Sequence, residues 1–134
     1  ELTLAANTPI VIAGDANLVF LAQTRDSIAT GDIDFESYFG PDFAPDWDGT
    51  ALEVLYSPQT GRRSSVTPPA SEGFWPSILD YVYYTDSVLD IGNHFVLETA
   101  GMTADELAAA GLEATDAADA SDHLMRCFDV RSAE

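Results

Sequence analysis

Residues 77–99, SILDYVYYTDSVLDIGNHFVLET, carry the strongest β signal of the chain. Ile78, Asp80, Val82 and Tyr84 alternate with Leu79, Tyr81 and Tyr83, so a strand places the two sets on opposite faces. Pro76 would also suit the first position of a helix over 77–84, but the density of Tyr, Val and Ile favours a strand. Residues 88–91, a Gly92-Asn93 turn and residues 94–99 then read as a hairpin.

Helix signals stand on both sides of this stretch. Asp15 can cap a helix over 15–29 whose Leu18, Leu21, Ala22, Arg25, Ile28 and Ala29 share one face, with Gly31 as its stop. A short second helix follows, capped by Asp32 or Asp34, packed through Phe35, Tyr38 and Phe39, and ended by Gly40-Pro41. Residues 41–50 form an acidic, turn-rich loop. Residues 51–57 read as a strand, and after a turn at 58–61 residues 62–67 are expected to pair back with it. A further loop spans 68–73. Thr103 and Glu106 make a capping box for a helix through Ala110, which Gly111 ends. Residues 112–122 suit helix or loop, and 123–130 a closing strand. Helices and strands are segregated, which predicts an α+β class: a single acidic domain over 1–134, with N-terminal helices packed on a mainly antiparallel curved sheet.

The 134 residues include 23 Asp and Glu, five Arg and no Lys, for a formal net charge of −18. In dilute salt that excess opposes compaction. At molar salt the screening length falls to about 3 Å and the penalty largely vanishes. Absent lysine fits the same solvent, because strong salt drives apolar stems together. The expectation is a halophilic protein, of a salt-in cytoplasm or of an external structure such as a virion; the alternative is an acidic domain with a basic partner. Seven Phe, five Tyr and two Trp argue for a folded core rather than an acidic tail. Nucleic acid and anionic membranes are excluded as partners by the lack of a basic footprint. No apolar run reaches the length of a membrane span. The chain opens on Glu1 without a signal-peptide pattern, as a processed or trimmed form would. Cys127 stands alone, which rules out an internal disulfide and a Cys-based metal site; it reads as a small buried hydrophobe.

Phosphate-binding glycine loops, nucleophile elbows and zinc-binding histidine helices are missing, so no cofactor or metal is implied. The acids Asp32, Asp34, Glu36, Asp42, Asp46 and Asp48 invite a calcium reading. With Gly49 as the loop glycine, Ala44 and Leu55 would fall at the first and twelfth EF-hand positions, and neither offers a ligand side chain. In so acidic a chain such clusters are expected as solvated surface. His94 follows the supposed turn, with Asp80 and Tyr81, Tyr83 or Tyr84 on the supposed neighbouring strand; His beside Asp and Tyr in an apolar cavity can do acid–base work, and a hairpin-tip histidine is the plain alternative. Trp47, Trp75 and Tyr83 are candidate walls of an apolar pocket or simply core. Arg62 and Arg63 are candidate partners for an acidic ligand or an acidic neighbouring subunit, or plain exposed arginines.

The run from the first helix through TGD (30–32) to ESYFGPDF (36–43) resembles the opening of the nuclear-transport-factor-like cone fold. That superfamily includes ketosteroid isomerase, scytalone dehydratase and small polyketide cyclases. The closing HLMRCFDV (123–130) suits it too. The resemblance implies a small-molecule pocket with an acid–base pair. The sequence departs from the pattern at Pro68-Pro69, where a third helix is usual, and in the extra helix at 103–110.

Three functions compete. One is a small-molecule pocket protein of isomerase, dehydratase or cyclase type, using His94, Asp80 and Tyr81 on a small apolar ligand. Another is a non-catalytic assembly subunit of a virion or surface structure, associating with copies of itself or with other subunits. The third is a cation-binding module on residues 32–48.

Overall fold

The computed structural model describes residues 3–18, 22–62, 64–69 and 76–133. Arg63 and Trp75 lie outside them. The chain is α+β, with two antiparallel sheets and short helices. It divides into two compact units, one of Glu1–Leu55, Tyr81–Asp90 and Val130–Glu134, the other of Tyr56–Asp80 and Ile91–Asp129.

The first unit holds strand β1 (Val11–Asp15), helix α1 (Ala22–Thr30), the single turn α2 (Glu36–Phe39), strand β2 (Glu53–Val54) and most of strand β3 (Asp80–Tyr84). The sheet order is β1-β3-β2, with Glu53 opposite Tyr84 and Val54 opposite Tyr83. A central strand has neighbours on both edges, and here both of its faces are covered as well: Tyr81, Val82 and Tyr83 are all buried. Ala29, Leu52, Leu55 and Leu89 complete an apolar interior. The backbone N–H of Leu52 donates to the Ala29 carbonyl at 2.8 Å, which fastens the end of α1 to the segment entering β2.

Three expectations about the strands and helices change. The stretch 11–15 is a strand, and the helix does not start at Asp15. The Asp15 carboxylate accepts from the backbone and side chain of Asn17 at 2.9 and 3.2 Å, and Asn17 takes a left-handed φ of 50°, which a helix interior excludes. The reversal after β3 falls at Thr85, whose carbonyl accepts from Val88 and Leu89. Gly92-Asn93 therefore sits inside one continuous strand β4 (Leu89–Val96), which pairs with strand β5 (Arg126–Ser132). Neither residue has the positive φ that a tight hairpin turn requires. A Cβ on Gly92 would lie 3.2 Å from that of Asp129, so close approach across the ladder accounts for the glycine. Residues 62 and 64–67 form no strand; the Ser64 carbonyl instead takes the Gln59 N–H at 2.6 Å.

The second unit carries a 3-10 turn (Thr99–Gly101) and helices α3 (Ala104–Ala110) and α4 (Asp116–Ala120). The capping box on α3 is present, and Gly111 closes it in the left-handed conformation. The exposed Glu106 carboxyl is held below its usual range by the Thr103 backbone and hydroxyl it caps. Buried Thr99 fastens α4, its hydroxyl donating to Ala114 and accepting from the Ala117 N–H, both at 3.0 Å. Gly61 must be glycine: it has φ 68°, and a Cβ there would stand 1.9 Å from the Gly101 carbonyl oxygen.

Candidate functional site

The second unit brings Asp80 to a histidine, and that histidine is His123, not His94. The Asp80 carboxylate lies 2.9 and 3.1 Å from His123 Nδ1 through its two oxygens. Both side chains are partly buried. A carboxylate on Nδ1 favours the tautomer with the proton on that nitrogen, orients the ring and stabilises the imidazolium when it forms.

The backbone around this pair is held from several directions. Thr67, fully buried, accepts at its hydroxyl from the N–H groups of Leu79 (2.9 Å) and Asp80 (3.3 Å). Its carbonyl accepts from Leu124, the residue after His123, at 2.7 Å. One threonine thus grips the chain next to both members of the pair. Arg126 Nη1 donates to the Asp80 carbonyl, and Nη2 reaches the hydroxyl of buried Ser57 at 3.3 Å.

His123 also lines a cavity of about 260 Å³. Leu97, Leu112, Ala117, Ala120 and Met125 make its walls mainly apolar, while Asp116 and Ser121 add polar edges. Its wall elements are fixed by one local and one long-range bond: Glu113 N–H bonds the Asp116 carboxylate at 2.8 Å ahead of α4, and Leu97 N–H pairs with the Met125 carbonyl at 2.8 Å. An apolar cavity of about 150 Å³ takes a benzene-sized guest, so this one suits a somewhat larger molecule.

The other sequence candidates do not join the pair, although His94 touches the Ser57 hydroxyl that Arg126 also reaches. His94 Nδ1 lies 3.3 Å from the Ser57 hydroxyl. Tyr81 and Tyr83 stack on each other at 6.0 Å in the apolar interior of the first unit. Trp47, in the same unit, donates its indole N–H to the Thr8 carbonyl at 2.7 Å. Arg62 is exposed. Cys127 is half-buried, and burial pushes its thiol up, away from the thiolate. Four of the acids singled out over 32–48 accept hydrogen bonds from the protein. Asp34 takes the Gln23 amide, Asp42 takes the Ile33 N–H at 2.7 Å, and Asp48 takes Thr50. Asp46 is buried and accepts from the Ser87 hydroxyl and the Trp47 N–H. Phe35, Tyr38 and Phe39, expected to pack, are 68, 84 and 68% exposed.

Sequence reasoning passed over His123, Thr67, Ser57 and Arg126 as members of one site. Asp80 and His123 are 43 residues apart, and no spacing motif joins them. The scarcity of histidine was the usable signal, since only two exist to partner Asp80. No family model matches the chain, and the searches of curated proteins and of solved structures also return no match.

Proposed function

We propose that the chain binds a small, largely apolar molecule beside His123 and moves a proton on it, as isomerases, dehydratases and cyclases do. The observation carrying this reading is that His123 lines the apolar cavity while its Nδ1 is held by the Asp80 carboxylate at 2.9 Å. In the reaction His123 Nε2 takes a proton from the ligand, Asp80 stabilises the imidazolium, and the proton returns from Nε2 to another atom of the ligand. Apolar walls strengthen such an interaction by excluding water. The reading shares its chemistry with the cone-fold resemblance but does not depend on it.

The test uses 2-cyclohexenone in D2O at molar KCl. Binding should shift the methyl signals of Leu97, Leu112 and Met125, and deuterium should enter the ring faster than in His123→Gln. Shifts scattered over the surface, or equal exchange in both proteins, would overturn the reading.

A second reading, an assembly subunit, is favoured by the exposed aromatic group of Phe35, Tyr38, Phe39 and Phe43. Exposed apolar groups of this kind often mark interfaces. Sedimentation at molar salt should then show an oligomer that Tyr38→Ser with Phe39→Ser dissolves; a wild-type monomer at high concentration removes this reading.

A further inference from the structure

We propose that Arg126 is a positioning residue for the Asp80–His123 pair. This inference rests on the reading of that pair as the acid–base group and goes beyond it by naming what holds the carboxylate in place.

Arg126 opens β5 three residues after His123, so it is anchored close to the imidazole it serves. Its guanidinium forks. Nη1 donates to the carbonyl of Asp80, the residue whose carboxylate reaches His123. Nη2 ends on the hydroxyl of Ser57, which is fully buried and also lies 3.3 Å from His94 Nδ1. The planar fork transmits that fixed point to the Asp80 backbone; a lysine ammonium, with a single flexible centre, cannot hold both acceptors in one plane. Thr67 grips the Asp80 N–H from the other side at 3.3 Å. Asp80 is therefore held at its N–H and at its carbonyl, and its side chain leaves the backbone in a set direction. Proton-transfer groups lose effectiveness steeply with misplacement, which gives such an anchor a functional consequence.

Arg126 also adds positive charge beside Asp80. A group acting only as a charge would leave the geometry of the pair alone. Positioning makes a different statement: without the fork, the carboxylate leaves Nδ1.

The imidazole tautomer reads that difference directly. Nitrogen-15 NMR of the full chain at molar KCl and alkaline pH reports which ring nitrogen carries the proton, with His123→Gln, which deletes the signal in question, used to assign the two histidines. Wild type should show His123 protonated on Nδ1, and Asp80→Asn should lose that signal. Arg126→Met should lose it too, shifting toward the Asp80→Asn spectrum, with partial recovery in Arg126→Lys. Ser57→Ala, a milder change that removes the second anchor, should shift it in the same direction. A folded Arg126→Met or Ser57→Ala protein that keeps the wild-type Nδ1–H signal would overturn the proposal. The readout needs no ligand. A wild type that binds no cyclohexenone but loses its Nδ1–H signal in Arg126→Met would end the proposed function and leave the positioning role standing.

Discussion

The interiors of the two units are built on different principles. In the first, the buried residues around β3 are mainly apolar: Ala29, Leu52, Leu55, Tyr81, Val82, Tyr83 and Leu89. In the second, the buried apolar residues among those described are Pro68, Pro69, Leu79, Val96 and Leu124, and they share the interior equally with Ser57, Gln59, Thr67, Glu98 and Thr99. Buried polar groups are tolerated when each finds a partner; here most partners are backbone groups, and Ser57 instead meets the side chains of Arg126 and His94 at 3.3 Å each. Gln59 donates to Val66 at 2.9 Å, and Glu98 accepts from Ala100 at 3.2 Å. An apolar interior excludes water without dictating which groups meet. A hydrogen-bonded one fixes directions, and the candidate site lies in the unit whose interior fixes them.

The comparison breaks first at the apolar end. Tyr83 is 2% exposed and stacks on Tyr81, so Tyr83→Ala should cost about 4 kcal/mol by removing a large buried ring. Were Tyr83 a ligand residue instead, urea unfolding at molar salt would be unchanged and cyclohexenone binding would fall. The matching change in the second unit conserves volume: Thr67→Val keeps the shape and deletes the hydroxyl. Leu79 and Asp80 N–H groups then lose their acceptor, at a cost of about 2 to 3 kcal/mol, and the His123 Nδ1–H signal should weaken with it. A neutral Thr67→Val would mean that hydrogen bonds do not specify this interior, and the contrast between the units would collapse.

The same contrast explains what could be read in advance. The density of β-branched and aromatic residues located β3 and the β2 region, because a strand covered on both faces leaves a continuous apolar run. The capping box at Thr103 and the stop at Gly111 were legible because capping is a local matter of a few residues. Gly92-Asn93 misled because the dipeptide has turn chemistry, while pairing of β4 with β5 keeps it within one strand. Phe35, Tyr38 and Phe39 misled because aromatic character suggests a core, and only tertiary structure tells which aromatics find one. The site was half legible. Asp80 stood out as a carboxylate in an apolar strand, but its partner was assigned to the nearer histidine in sequence. Thr67, Ser57 and Arg126 act through two or more hydrogen bonds each to residues distant in sequence, and such bonds leave no periodicity to read.

Asp46 is the charged exception inside the apolar unit, and pH separates it from its neighbour Asp86. Burial raises the Asp46 carboxyl, but bonds from the Ser87 hydroxyl and from the Ser87, Trp47 and Asp48 backbone outweigh it, leaving the group below its ordinary value of 3.8. A lowered carboxyl adds stability that is present above 3.8 and is lost as pH falls through the lower folded value. Asp86, exposed, is raised by desolvation first and then by the charge and hydrogen bonding of Asp46. Its contribution runs the other way: present below 3.8 and lost as pH rises through the raised value. Asp46→Asn should therefore lower stability near neutral pH by about 2 kcal/mol, the scale of hydrogen bonds to a charged group, and flatten the acid limb below the ordinary carboxylate range. Asp86→Asn should raise stability near neutral pH by a few tenths of a kcal/mol, a small gain because solvent screens an exposed group. Urea midpoints at neutral and acid pH, all at molar KCl, measure both. Equal losses from the two variants near neutral pH would show that Asp46 acts as one more surface charge, leaving buried Thr85, whose hydroxyl accepts from the Ile10 N–H at 3.0 Å, as the polar anchor of the first unit's interior.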